Sequence, residues 1–466
     1  MQKKRNSFTG SLGFVMAAAG SAVGLGNIWR FPYLAAKDGG GLFLVIYLIL
    51  ALTFGFTLLV TEVAIGRKTR QSPLTAYKAL SKKWKWIGVF ACLVPFLILP
   101  YYCIIGGWVL KYLIAFITGS GAAAAGDEYF TGFISGIAPP IIFDAIFLGA
   151  TAFIIYRGVN KGIENTSKII MPVLIILVLG ISIFSLTLKH ETDDGTVRTG
   201  LQGLKRLVVP SLKGMGVKDV LLVVTDAMGQ LFYSISVAMG IMVTYGSYVK
   251  NKDNMMRSVN QIEIFDTSVA FLAGVMLIPA VFVFAGEEGM GSYGPGLMFV
   301  AMPKVFAAMG SVGTIVGIAF FLMVLFAALT SSMSVLEAVV SSLMDKFGWS
   351  RKKATIVESV IALIGGIIIC LGYNLFYFDL PLPNGTNAQI LDIADYLSNS
   401  IFMPIVAIST CVLIGWFIGP QAIIKEATKN GEKFGRKKLY IAMVKFIAPV
   451  LLMVLLLGSL GIIKLG

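Results

Sequence analysis

Long apolar runs follow one another along almost the whole chain. Each has around 20 residues or more, enough for a helix to cross the ~30 Å hydrocarbon core of a bilayer. We predict eleven spanning helices, numbered spans 1 to 11, at residues 11–36, 41–66, 87–117, 139–156, 169–188, 219–247, 261–285, 311–345, 355–373, 397–424 and 439–463. The predicted fold class is therefore an all-α integral membrane protein.

Two of these runs are interrupted by small and polar residues. In span 1, three glycines fall between Gly20 and Gly26, and each weakens a helix by roughly 1 kcal/mol relative to alanine. Pro32 follows and lacks an N–H. Span 6 is interrupted at residues 233–240, YSISVAMG. Freed backbone is tolerated in a membrane only where it lines a cavity, so paired breaks indicate a transporter binding site.

Composition supports this reading and excludes other classes. Hydrophobic residues make up 57% of the chain and charged residues 13%, against about 25% charged in soluble domains. The net charge of +14 does not indicate a nucleic-acid partner, because most lysines and arginines lie in alternate loops, at 67–85, 157–168, 250–257, 346–353 and 425–438. The positive-inside rule then predicts a multi-pass protein of the plasma (inner) membrane, with a cytoplasmic N-terminus and an extracellular C-terminus.

No pattern typical of an enzyme is present. All four cysteines fall in apolar runs without metal-ligand spacing, and His190 lies in a polar loop. Neither a nucleophile–base arrangement nor a phosphate loop is recognisable. We therefore predict that the chain is not an enzyme.

Five motifs carry a family resemblance: Gly20 to Pro32 (GSAVGLGNIWRFP), Glu62 before Gly66-Arg67, Tyr101-Tyr102, Gly229-Gln230 and Thr330-Ser331-Ser332. The chain resembles the neurotransmitter:sodium symporter family, in particular its bacterial amino-acid transporters with eleven helices. The resemblance implies two inverted five-helix repeats at residues 10–188 and 219–424, with the ligand between spans 1, 3, 6 and 8. A cytoplasmic tail (1–9), an extracellular loop (189–218) and a segment with span 11 (425–466) would complete the chain.

The break in span 1 exposes N–H groups near Leu25 and Gly26, which favour a carboxylate. Gly24 replaces the aspartate that monoamine-transporting relatives carry, so we expect an α-amino acid as substrate. The substrate site implied by the resemblance comprises Ala22, Gly24, Leu25, Gly26, Ile98, Tyr102, Tyr233, Ser234, Ser236, Met239, Ser331 and Val335. Met239 stands where the leucine-selective type has an aromatic ring, and its flexible thioether predicts broad selectivity for hydrophobic and aromatic amino acids.

The resemblance also implies two sodium ions. The first would be bound by Ala22, Asn27, Ser234 and the substrate carboxylate, the second by Gly20, Val23, Ala327, Thr330 and Ser331. A carboxylate shared with the first ion would couple substrate affinity to ion occupancy.

Asp266 departs from the chloride-dependent relatives, which carry asparagine there. A carboxylate in an apolar helix is costly unless it is partnered. We expect Asp266 to bind the first sodium and to make chloride unnecessary. A snorkelling or helix-capping aspartate is one alternative. Chloride dependence is another, since Tyr47, Gln230 and Ser234 complete a chloride-like set of ligands.

Charge pairs are expected to gate both ends. Arg30 would pair with Asp395, or with Asp392 in the other register, above a lid of Tyr102 and Tyr233. On the inner side the expected gate comprises Arg5, Asp345, Ser247 and Tyr248. An exposed pair is worth under about 1 kcal/mol and can break in each cycle. Arg5 is also explained by the positive-inside rule alone.

These features predict a sodium-coupled symporter that works by alternating access, with membrane lipid and a small amino acid as its partners. The alternatives are a non-transporting amino-acid sensor, a transporter of another small zwitterion, and a channel. A channel would need a continuous polar pore, whereas here the polar residues concentrate at mid-membrane.

Overall fold

The computed structural model describes residues 6–192, 195–212, 214–289 and 295–463, and it is almost entirely helical. The helices are α1 Ser11–Ala22, α2 Gly26–Lys37, α3 Gly41–Thr69, α4 Pro73–Leu80, α5 Lys82–Ile117, α6 Gly121–Ala124, α7 Tyr129–Ile134, α8 Ala138–Tyr156, α9 Val159–Thr187, α10 Gly200–Val208, α11 Val217–Ser234, α12 Ile241–Tyr248, α13 Met255–Gly286, α14 Leu297–Ala308, α15 Ser311–Phe347, α16 Arg351–Leu371, α17 Ile390–Ile418, α18 Gln421–Ala427 and α19 Lys437–Ser459. Two antiparallel hairpins pair β1 Lys189–Glu191 with β2 Val197–Thr199, and β3 Leu380–Pro381 with β4 Asn387–Ala388.

Span 1 is broken where the glycines predict it. The axes of α1 and α2 are bent by 54° at the break. The last regular bond of α1 runs from Val23 N–H to the Ala19 carbonyl at 2.7 Å. A wide π-helical turn at Gly26–Arg30 then opens α2, immediately before Pro32. Because proline has no N–H, it cannot donate the next hydrogen bond of a regular α-helix. A widened turn near Pro32 is consistent with that missing hydrogen bond.

Span 6 is broken as well, between α11 and α12. Ser236, Ala238 and Gly240 have φ values of 53°, 61° and 73°. The left-handed region costs a residue with a side chain about 1 kcal/mol or more. Ser236 and Ala238 therefore need outside contacts to hold this conformation, and the contacts are described with the site below.

Within the described residues, nine helices are long and apolar enough to cross a membrane, and α1 with α2 makes a tenth span. The broken pair α11–α12 is not among them. Its first half, α11, carries Lys218, Asp219 and Asp226, which lower its apolar character. The predicted total of eleven spans requires this pair as a further crossing, and the total stays a prediction.

Several predicted boundaries differ from the helix ends by five residues or more, at spans 3, 5, 7 and 10, and two of them have a clear local cause. Span 5 was expected at 169–188, but α9 begins at Val159, directly after Gly158 at a φ of 90°. Span 10 was expected to run to residue 424, but α17 ends at Ile418. Gly419 adopts a φ of 89° and Pro420 follows it, so the helix cannot continue into α18.

Glycines bring the broken helices close to their neighbours. A Cβ on Gly66 of α3 would lie 2.0 Å from the Val243 carbonyl oxygen, and one on Gly246 of α12 would lie 2.4 Å from the Val63 carbonyl oxygen. Likewise, a Cβ on Gly20 of α1 would lie 3.2 Å from Thr330 Cβ of α15. These approaches place α3 against the inner half of span 6 and α15 against the break in span 1.

Candidate functional site

A cavity lies between the two breaks. It is lined by Ser21, Ala22, Gly24, Leu25, Gly26, Asn27, Ile98, Tyr102, Tyr233, Ser234, Ser236, Met239, Ile241, Ser331 and Val335. Every residue of the predicted substrate site is in this set. The sequence prediction did not place Ser21 and Ile241 in the site. Ser21 is inside the GSAVG motif, whereas Ile241 follows the break without a distinguishing pattern.

The break in span 1 forms the polar end of the cavity. The Leu25 N–H donates to Tyr102 Oη at 3.5 Å. A Cβ on Gly24 would lie 2.8 Å from Ser331 Oγ and 3.2 Å from Tyr102 Oη. Because Gly24 has no side chain, a space stays open between the hydroxyl groups of Ser331 and Tyr102 and the N-terminal end of α2. A small anionic group can be bound in such a place.

Three serines connect the two breaks to α15. The Ser21 carbonyl accepts from Ser236 Oγ at 3.0 Å and from Ser331 Oγ at 3.1 Å. Ser21 Oγ also donates to Ser236 Oγ at 3.1 Å. The left-handed Ser236 is thus held by span 1, which supplies part of the outside contact that its backbone requires.

Two side chains predicted for the first sodium site, Asn27 and Ser234, meet at Asp266. Its Oδ1 accepts from Ser234 Oγ at 2.6 Å and from Asn27 Nδ2 at 2.8 Å, and Tyr47 Oη donates to Oδ2 at 3.4 Å. Asp266 is fully buried inside α13. A snorkelling or helix-capping aspartate is therefore wrong. Gln230 is adjacent and donates from Nε2 to the Gly26 carbonyl at 3.0 Å.

The second predicted sodium site lies where α1 meets α15. Thr330 Oγ1 is 3.1 Å from the Ala327 carbonyl oxygen, and Ser331 Oγ is 3.5 Å from the Gly20 carbonyl oxygen. Val23 is the first residue after α1, with a ψ of 83°. The carbonyl oxygens of Gly20 and Ala327 thus lie near the hydroxyl groups of Ser331 and Thr330, and neutral oxygens of this kind suit a hard monovalent cation.

At the predicted outer end, Arg30 influences Asp395 electrostatically, but the two side chains form no ion pair within 4.0 Å. Asp395 Oδ1 instead accepts from Asn399 Nδ2 at 2.6 Å, and the same Nδ2 donates to Tyr101 Oη at 3.1 Å. Asp392 accepts from the Gln389 N–H at 3.0 Å at the start of α17. Of the two predicted partners, Asp395 is the one that Arg30 influences electrostatically, whereas Asp392 caps the start of α17. Tyr102 and Tyr233, the predicted lid, line the cavity below.

At the inner end, Arg5 lies outside the described residues. Asp345 Oδ2 accepts from the Ser72 N–H at 2.7 Å, and Ser247 Oγ donates to the Thr244 carbonyl at 2.5 Å. The fully buried Phe8 packs against Tyr245 and Tyr248, with ring centroids 5.7 and 6.0 Å apart. Phe8, in the segment before α1, therefore covers α12, the second half of span 6.

The sequence prediction missed a charge cluster that joins α15 to α12 and α16. Glu337 is fully buried, accepts from Tyr248 Oη at 2.5 Å, and pairs with Arg351 at 2.5 and 2.9 Å. A carboxylate within an otherwise apolar helix was the signal that could have identified it.

Glu62 of α3 supports the second break. Its Oε1 accepts from the N–H of the left-handed Ala238 at 2.6 Å. We expect Glu62→Ala to destabilise the protein by about 1–3 kcal/mol, because it leaves a buried N–H unpaired. Thermal unfolding in detergent measures this loss. Glu62→Gln keeps an acceptor and is the matched control, and equal stability of the alanine variant and wild type would contradict the role.

Comparison with known proteins identifies the family. The model of the sodium:neurotransmitter symporter family matches residues 5–130 and 143–464. The uncharacterized sodium-dependent transporter YhdH of Bacillus subtilis (strain 168) is 34% identical, over 99% of each chain. The sodium- and chloride-dependent GABA transporter 2 of Rattus norvegicus is 25% identical, over 89% of this chain and 73% of its own.

A solved structure shares the fold. The crystal structure of MhsT in complex with L-phenylalanine superimposes with a TM-score of 0.84 at 36% identity, covering 98% of this chain and 100% of that one. The similarity in sequence and the similarity in fold therefore both support the family assignment that the motifs of spans 1 and 6 predicted. This chain is a multi-pass membrane transporter, not an enzyme, and it belongs to the sodium:neurotransmitter symporter family.

Proposed function

We propose that the protein is a sodium-coupled symporter of hydrophobic and aromatic amino acids that works by alternating access. The observation that carries this proposal is the cavity between the two breaks. Among the described residues that line it none carries a carboxylate, while Ile98, Met239, Ile241 and Val335 are apolar. A ligand that brings its own carboxylate to the free N–H groups of span 1 and an apolar side chain to this wall fits best.

The relatives support the same class of substrate. MhsT, whose fold this chain shares, was solved with L-phenylalanine. We propose a corresponding ligand here, with its carboxylate at Leu25 and Gly26 and its side chain toward Met239. Two sodium ions would occupy the oxygen clusters at Asp266 and at Thr330. The cytoplasmic N-terminus, the extracellular C-terminus and the two inverted repeats belong to the same proposal.

The first test is a binding screen of the twenty amino acids by scintillation proximity, in sodium and in choline. We expect leucine, phenylalanine, tyrosine and tryptophan to bind in sodium only. Uptake of the substrate into proteoliposomes then separates the three classes of protein. A symporter accumulates the substrate against its gradient, a channel only equilibrates it, and a sensor takes up none. Binding of amines that lack a carboxylate would contradict the proposed orientation.

Met239 offers a test of selectivity. Its unbranched thioether can adapt to ligands of different shape, whereas a phenylalanine ring cannot. We expect Met239→Phe to weaken the binding of tryptophan about tenfold relative to leucine. Competition binding with both amino acids measures the ratio. Met344→Phe on α15, which does not line the cavity, is the control, and an unchanged ratio in Met239→Phe would contradict the role of Met239.

Independence of chloride is the second part of the proposal. A buried carboxylate beside the predicted sodium ligands supplies the negative charge that an anion would otherwise provide. The name of the rat GABA transporter 2 states that this relative depends on chloride, so chloride dependence of this chain is the alternative to be tested. Replacement of chloride by gluconate should leave uptake unchanged, and loss of uptake would reject this part.

A further inference from the structure

The loop between α16 and α17, residues 372–389, exposes a run of large apolar side chains. We call it the aromatic loop. The exposed fractions are 66% for Leu375, 50% for Phe376, 56% for Tyr377, 41% for Phe378 and 45% for Leu380. Single exposed apolar residues are common, but a contiguous run usually marks an interaction surface.

The loop is firmly attached at both sides. Asn374 Nδ2 donates to the carbonyls of Ser135 and Gly136 at 3.2 and 3.3 Å, just before α8 begins. On the other side, a Cβ on Gly461 would lie 2.2 Å from the Pro383 carbonyl oxygen, just after α19 ends. The aromatic loop therefore bridges the ends of α8 and α19 on one side of the helical bundle.

Both of these helices face outward from the bundle. Their apolar windows are only 33% buried in α8 and 22% buried in α19, against 72% in α13. In a membrane protein such surfaces contact lipid. The loop also begins directly after Leu371, where the spanning helix α16 ends. Its exposed side chains therefore continue the lipid-facing surface at the level where the helices leave the hydrocarbon core.

The chemistry of the loop fits that level. Asp379 is the one charged residue among positions 372–389, and its Oδ2 accepts from Tyr377 Oη at 3.0 Å. Aromatic side chains are enriched at membrane interfaces, where a ring can be buried while a polar group stays hydrated. We propose that the aromatic loop inserts into the interfacial layer of the bilayer, with phospholipid as its partner.

This contact would act on the outer gate. The loop leads directly into α17, which carries Asp395 opposite Arg30. Tyr396 Oη donates to the Ser459 carbonyl at 2.8 Å, so α17 is also attached to the end of α19. Lipid that holds the loop would therefore also hold the start of α17.

The test is the accessibility of nitroxide labels in lipid nanodiscs, measured by power saturation with oxygen and with a nickel chelate. Phe376→Cys carries the test label. Ile142→Cys on the exposed face of α8 is the lipid control, and Asn384→Cys at the tip of the hairpin is the aqueous control, all in a background with the four native cysteines replaced. A melting temperature equal to wild type verifies the fold of each variant.

We expect the label at 376 to be more accessible to oxygen than to nickel, as at 142, and the reverse at 384. Equal nickel access at 376 and 384 would overturn the proposal. So would spin–spin broadening at 376 that disappears on dilution with unlabelled protein, because a second copy of the chain would then cover the loop. No outcome depends on transport, so the result is independent of the proposed function.

Discussion

Replacing Gly24 with valine is expected to weaken substrate binding strongly. A Cβ at this position would already lie 2.8 Å from Ser331 Oγ and 3.2 Å from Tyr102 Oη, and valine adds two methyl groups beyond it. The added volume fills the polar end of the cavity and pushes the break in span 1 away from α15 and α5. We expect a loss of affinity of about 100-fold, measured by sodium-dependent binding of phenylalanine in detergent.

The matched control is Gly180→Val on α9, where an added Cβ would meet no atom within 4 Å. It is expected to bind like wild type. The melting temperature of Gly24→Val without substrate separates a blocked cavity from a misfolded protein. Normal affinity in a folded Gly24→Val variant would place the substrate elsewhere and would remove the main support of the proposed function.

Replacing Asp266 with asparagine is expected to make transport depend on chloride. The substitution keeps the size of the side chain but removes the negative charge that Ser234, Asn27 and Tyr47 contact. A hydrogen bond to a charged group is worth about 1.5–3 kcal/mol, so sodium-driven uptake in gluconate should fall by roughly 10- to 150-fold. Added chloride should restore part of the uptake, because it can bind on the side of the site formed by Tyr47, Gln230 and Ser234.

Asp226→Asn, on the outer half of span 6, is the control for a changed charge outside the site. Its uptake should be insensitive to chloride, as in wild type. If the Asp266→Asn variant takes up substrate equally well with and without chloride, the carboxylate does not replace chloride. This conclusion holds whether the uptake of the variant is high or low. A sodium titration of both variants shows whether the loss lies in ion affinity.

The sequence predicted the breaks well because their causes are local. Gly20, Gly24 and Gly26 weaken span 1 regardless of the surroundings, and the structure bends there by 54°. The ends of α9 and α17 were predicted less well. They are set by left-handed glycines at 158 and 419, and an isolated glycine in an apolar run does not reveal its φ.

The site was predicted from the register of a recognised motif, and the structure brings every predicted substrate residue to one cavity. Ser21 and Ile241 were missed because nothing in their own chemistry separates them from neighbouring core positions. Glu337 was missed although its carboxylate within an apolar helix was visible. Its partners, Tyr248 and Arg351, come from other helices, and their proximity cannot be read from a linear pattern.

The sequence by itself determined that this protein spans a membrane, that spans 1 and 6 are interrupted, and that backbone groups are free at those points. These properties follow from hydropathy and from local helix propensity. Only the tertiary structure decided which side chains stabilise the breaks, such as Glu62 on Ala238, and which oxygens surround Asp266. Those contacts join residues that are 32 to 239 positions apart, and only helix packing determines which of them meet.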